Sequence, residues 1–137
     1  MSGSGATSDP RWRRGRGLLA RGEWFEAHEV LEDLWREHPP GPEREALQGL
    51  IQAAVALEHL RRGNPVGAAK VWGRAQARWE ALESWPLGAD LARWAEALVV
   101  FWRRVDLEAQ VRAARAGLPG QPLPPPADWP LPGTGDA

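Results

Sequence analysis

Three side chains in the first half of the chain have the types and spacing to do chemistry together. His28 and Glu32 are four residues apart, so on a helix of 3.6 residues per turn they stand one above the other. A second row, Gln48, Gln52, Val55 and His59, repeats at i, i+4, i+7 and i+11. If the two helices pack together, His28, Glu32 and His59 converge, with Glu29 and Gln52 close by. Imidazole and carboxylate together suit Zn, Fe or Mn, and helical bundles build such sites from facing helices. A divalent metal is thus compatible with the sequence but not required by it. The match to a di-iron bundle is poor: Glu29…Glu32 and a reversed His28…Glu32 are the nearest to its Glu-x-x-His pairs, and no second copy occurs. A Glu–His pair also suits a general base and its orienter, but no nucleophile stands beside it. The same residues have a plainer use. Buried His, Glu and Gln that bond one another fix helix register without any ligand, and this reading is favoured.

The elements that must carry these rows follow from periodicity and punctuation. Asp9-Pro10 reads as an N-cap and first helical residue, opening a helix from about Arg11 to Arg21 that Gly15 and Gly17 weaken. Its Arg11, Arg13, Arg14, Arg16 and Arg21 read as a solvated face. Gly22 ends it. From Glu23 to Glu37, Ala27, Val30, Leu31 and Leu34 form one apolar stripe flanked by Trp24 and Trp35, with Trp35 expected as a core anchor. On the same wheel Glu26, Asp33 and Glu37 point to the wet side.

After the break at His38-Pro39-Pro40-Gly41, the stretch from Pro42 to Arg62 is apolar almost all round, which predicts a central helix. Gly63-Asn64-Pro65 supplies a left-handed stop, a cap and a first helical residue in succession. So short a connection predicts an antiparallel pair with the next helix, which runs to about Ser84. A fifth helix starts near Ala89, bends near Asp106 and continues, weakly amphipathic, to Ala116. At an offset of 41 residues, Leu19-x-Arg21-Gly22 then Ala27 and Val30 is echoed by Leu60-x-Arg62-Gly63 then Ala68 and Val71. Two copies are too few for a solenoid, so the echo predicts two similar hairpins.

The fold class is therefore all-α: a compact bundle of about five helices built from antiparallel helical hairpins. Residues 9–116 make the helical domain. Residues 1–8 are small and polar and are expected to be disordered. So is the tail from 117 to 137, which holds seven prolines and four glycines in 21 residues. The formal net charge of -1 gives no electrostatic reason to expect nucleic acid. Trp72, Trp79, Trp94 and Trp102 fall on inner faces, so stacking on bases is not implied. Cysteine is absent, which removes disulfides, thiolate metal sites and Cys nucleophiles. No apolar run approaches the roughly 20 residues that span a bilayer, and the start does not read as a secretory signal, so a cytoplasmic location is expected.

The stretches GEWFEAHEVLEDLW, from Gly22 to Trp35, and LQGLIQAAVALEHLRRGN, from Leu47 to Asn64, carry a family resemblance. From about Arg14 to Val105 the chain resembles the small helical proteins of bacteria and archaea grouped as domain of unknown function 309. The resemblance implies an all-helical fold of about five helices. It also implies that the shared polar positions are Glu26, His28, Glu29, Glu32, Gln48, Gln52, His59, Arg62 and Asn64, as candidate ligand-binding residues. It implies no activity. Three function classes stay open. A scaffold or interaction module with a buried His/Glu/Gln network is favoured, with a protein partner or a homo-oligomer as its counterpart. A protein that binds a metal or small ligand through His28, Glu32 and His59 is the alternative, and an enzyme would need a reactive group the sequence does not display.

Overall fold

A computed structural model describes residues 5–134, and these are helical throughout apart from turns and an extended tail. Six α-helices follow one another: α1 (Pro10–Ala20), α2 (Trp24–Glu37), α3 (Pro42–Arg61), α4 (Pro65–Glu80), α5 (Ala89–Arg104) and α6 (Leu107–Arg115). The expected bend near Asp106 is a full break. Asp106 adopts a left-handed φ of 51° and its carboxylate caps α6 by accepting from Ala109 N–H. Its short polar side chain makes that backbone state accessible.

The two hairpins predicted by the echo are present. At both α1–α2 and α3–α4 the chain reverses through a Schellman turn. Glu23 N–H donates to Leu18 O and Gly22 N–H to Leu19 O. In the second copy Asn64 N–H donates to His59 O and Gly63 N–H to Leu60 O, all at 2.8 to 3.0 Å. Gly22 and Gly63 have φ of 72° and 79°, which an L side chain resists. Within each hairpin a glycine lets the helices close. A Cβ on Gly15 would overlap Leu31, and one on Gly49 would overlap the Trp79 indole.

α3 is the central element, as its composition predicts, with α2 on one side and α4 on the other. α5 is held differently. Its Trp94 stacks on Trp24 of α2, with centroids 6.0 Å apart and planes at 18°, and its Trp102 meets Trp72 of α4 at 5.7 Å. Indole rings carry large buried area and keep helix axes apart, where Ala and Gly bring them close.

Both ends depart from the expectation of disorder within the described residues. Ala6 is buried in a short 3-10 turn (Ala6–Ser8) and its N–H donates to Glu43 Oε1 at 2.7 Å. The tail crosses the bundle instead of leaving it. Trp129 is 3% exposed and packs on Phe101 at 5.4 Å, its Nε1–H donating to Pro124 O. Trp94 Nε1–H donates to Pro130 O and Gln110 Nε2 to Gln121 O, both at 2.9 Å. Proline removes backbone donors but leaves every carbonyl, so a proline-rich strand satisfies side-chain donors of the bundle well. Arg16 also departs from the solvated face expected of its helix. It is 5% exposed and its Nη2 donates to Gly133 O at 2.8 Å. The expectations for residues 1–4 and 135–137 lie outside the described residues.

Candidate functional site

The α3 row of Gln48, Gln52, Val55 and His59 faces outward along the seam between α2 and α4, where α3 is least covered. All four are half-buried on a helix that is otherwise mostly buried. Over Gln48, Gln52 and Val55 of this row lies a cleft of about 230 Å³. His28 and Glu32 line it from α2, Gln48 and Gln52 from α3, and Arg74 from α4. Ile51, Val55 and Val71 supply an apolar strip, and Trp35 closes one end. His28 and Glu32 thus share a cleft with Gln48 and Gln52, while His59, which was expected to converge with them, does not line it, and Arg74 is added from a helix the wheel did not include.

Hydrogen bonds set the polarity of each group. His28 Nδ1 lies 3.0 Å from the Phe25 carbonyl oxygen. A carbonyl only accepts, so Nδ1 carries the proton and Nε2 of the neutral ring keeps its lone pair. Gln52 Oε1 accepts from Arg78 Nε at 3.2 Å, which fixes the amide and leaves its N–H groups to donate elsewhere. Arg78 is itself held by Glu45 at 2.7 Å. Glu32 is paired with Arg36 at 2.9 Å, an i, i+4 bridge on the open side of the helix. Arg74 is exposed and makes no hydrogen bond or ion pair among the described residues.

His59 belongs to the turn. Asn64 Oδ1 caps α4 by accepting from Gly67 N–H at 3.0 Å, so the Asn64 amide nitrogen is the atom that faces His59 Nδ1, at 3.1 Å. That nitrogen only donates. His59 Nδ1 therefore accepts, and in the neutral ring the proton sits on Nε2, the opposite tautomer to His28. A cation at His59 Nε2 would force the proton to Nδ1, against the Asn64 amide. Among the described residues no group of three or more His, Asp or Glu side chains is placed to hold a metal ion. The tripod expected of His28, Glu32 and His59 does not form.

Nor do these side chains close into a buried network. Among the described residues no hydrogen bond joins His28, Glu32, Gln48, Gln52 or His59 to another of the five. Glu26 and Glu29 are exposed, as are Arg62 and Asn64. Trp35 is half-buried rather than a core anchor. The Arg44 guanidinium stacks 4.1 Å over its ring while donating to the Trp35 and His38 carbonyls.

The buried charge of this region lies outside both polar rows. Glu58 is 6% exposed, and Arg61 Nη2 and Arg62 Nε reach its Oε2 at 2.6 and 2.5 Å. Burial pushes its carboxyl up, and the hydrogen bonds and charges of the two arginines outweigh that, holding it below the ordinary carboxylate range. Arg61 is raised in turn, first by Glu58 and by a smaller attraction to Glu26. Glu26 thus adds a weak attraction at the end of α3. The sequence signal was available: Glu58 precedes Arg61 and Arg62 by three and four residues.

No helix among the described residues is long and apolar enough to cross a membrane. No solved structure matches the chain. "Uncharacterized protein YpuF" of Bacillus subtilis (strain 168) is 36% identical over 88 residues, which is 61% of this chain and 49% of the Bacillus protein. An uncharacterized protein of Aquifex aeolicus (strain VF5) is 38% identical over 50 residues, covering 36% of this chain and 15% of its own length. The chain thus spans about half or less of these relatives. A family model described as Domain of unknown function (DUF309) matches residues 12–71. That stretch ends short of the Val105 to which the resemblance ran. It takes in α1, α2, α3 and the start of α4, with His28, Glu32, Gln48 and Gln52 inside it and Arg74 beyond. Over residues 12–71 the chain is similar to the domain of unknown function 309 family.

Proposed function

We propose that the protein is a small-ligand-binding helical module whose site is the cleft between α2 and α4 over α3. One observation carries this reading: polar groups from three helices line a single cleft yet do not satisfy one another. A structural network would pair those donors and acceptors internally, because unmet polar groups cost stability. The cleft holds roughly seven or eight waters at about 30 Å³ each, so its occupant is small.

The test fills the cleft without touching its polar groups. Val71→Phe, from the α4 wall, should leave thermal unfolding within about 1 kcal/mol of the wild type. It should also abolish ligand-induced chemical-shift changes at the His28 and Trp35 ring nitrogens in a screen of small polar molecules. Shift changes that survive Val71→Phe would place binding elsewhere and end the proposal.

A further inference from the structure

If the cleft is a binding site, as proposed above, the polarity of its walls narrows the chemistry of its occupant. A ligand meets a fixed pattern there. Arg74 offers a guanidinium with no partner of its own among the described residues. Gln52 offers amide N–H groups, because Arg78 holds the oxygen of that amide. His28 offers an acceptor, because the Phe25 carbonyl holds the proton of the other ring nitrogen. Glu32 adds a second acceptor, partly neutralised by Arg36.

We infer that the cleft selects a small carboxylate bearing a hydrogen-bond donor, hydroxyl or ammonium, on the adjacent carbon. The guanidinium and the Gln52 amide form a donor pair suited to the two carboxylate oxygens. His28 Nε2 then accepts from the donor next to it, and Glu32 lies on the same α2 face one turn on. Each group is used in the only sense its neighbours leave it. A simple cation would meet the like charge of Arg74, and a neutral diol would forgo the charge-assisted bonds that a guanidinium makes with a carboxylate. Gln48 adjoins this set with no bond of its own among the described residues and is free to serve either end.

Four probes on one carbon skeleton separate the contributions. Lactate carries both carboxylate and hydroxyl, alanine both carboxylate and ammonium, propionate only the carboxylate, and 1,2-propanediol only hydroxyls. Titrations followed at the His28 and Trp35 ring nitrogens should show lactate or alanine binding at least tenfold tighter than propionate, and propionate tighter than the diol. Lactate ahead of alanine identifies a 2-hydroxy acid read by His28. Alanine ahead of lactate identifies a 2-amino acid read by Glu32. Arg74→Ala should weaken the better probe more than tenfold. Gln52→Glu, which still accepts from Arg78 but no longer donates, should abolish it. His28→Phe should reduce lactate to the level of propionate. If 1,2-propanediol binds as tightly as lactate and alanine, and Arg74→Ala changes nothing while Val71→Phe still blocks it, the carboxylate inference falls and the cleft stands. If no probe binds the wild type, the inference is overturned. If probes bind equally to Val71→Phe, the cleft reading fails with it.

Discussion

The two hairpins reverse through the same turn and put it to opposite use. At Gly22 the turn is covered: Leu18 and Leu19 before it are buried, Trp24 after it is buried, and the Leu131 side chain approaches from the tail. At Gly63 no atom lies near the position a Cβ would take. The residues equivalent to Gly17 and Leu18 are Glu58 and His59, and Asn64 stands where the first copy has Glu23. Backbone hydrogen bonding alone builds either turn. The side chains on either side of the glycine decide whether it becomes core or presents polar groups to water.

The largest test of that contrast is to uncover the first turn. Trp129→Ala removes the side chain that anchors the tail and should cost about 3–5 kcal/mol in chemical unfolding. Trp35→Ala, half-buried and under an arginine, should cost only about 1–2 kcal/mol. Equal losses would mean that the tail is not part of the core.

Next come the close approaches inside each hairpin. Gly49→Val should cost about 3 kcal/mol, because the Trp79 indole it meets is pinned by its bond to Ala46 O at 3.1 Å. Gly15→Val overlaps Cγ and Cδ2 of Leu31, a fully buried but unpinned aliphatic side chain, and should cost about 2 kcal/mol by thermal unfolding. The reverse order would show that the first hairpin is the tighter of the two.

The charge at the second turn gives a smaller effect with a pH signature. Glu58 has its folded pKa depressed, so the stability it contributes is present above its unfolded value of about 4.3 and is lost as pH falls through the lower folded value. Glu58→Gln should therefore lower stability by about 1–2 kcal/mol at neutral pH and by progressively less below about pH 4. A mutational loss that stays constant down to pH 2 would remove the ion cluster from the account. Smallest of all, Gly22→Ala and Gly63→Ala should each cost about 1 kcal/mol from the left-handed backbone. They should agree closely, because the Leu131 contact at Gly22 is ordinary van der Waals distance at 3.5 Å. A large difference in melting temperature between them would show that the turns are not equivalent.

The helices were legible because their signals are local. Asp9 and Asn64 cap where they stand, Pro10, Pro42 and Pro65 open helices, and the α3 row could be counted off the sequence. The meeting of His28 and Glu32 with Gln48 and Gln52 was legible for the same reason, since an apolar stripe fixes what lies beside it. Three things were not. Arg74 joins the cleft through the crossing of α4 over α3, which periodicity within one helix does not encode. The roles of His28 and His59 depend on which atom each Nδ1 meets, a matter of ångströms. Proline-rich composition speaks against regular structure but not against burial, so Trp129 in the tail could not be placed.

The tail also imposes an order in time. Both hairpins join neighbours in sequence and close short loops, which chains do fast. The bond from Arg16 to Gly133 spans 117 residues, and that from Trp94 to Pro130 spans 36. During synthesis α1 to α4 can assemble while Trp94 and the first turn stay open to water. They are sealed only after residue 133 has left the ribosome. Until then the nascent molecule displays an apolar face that the finished one hides, and that interval is when it is most exposed to aggregation and to chaperones.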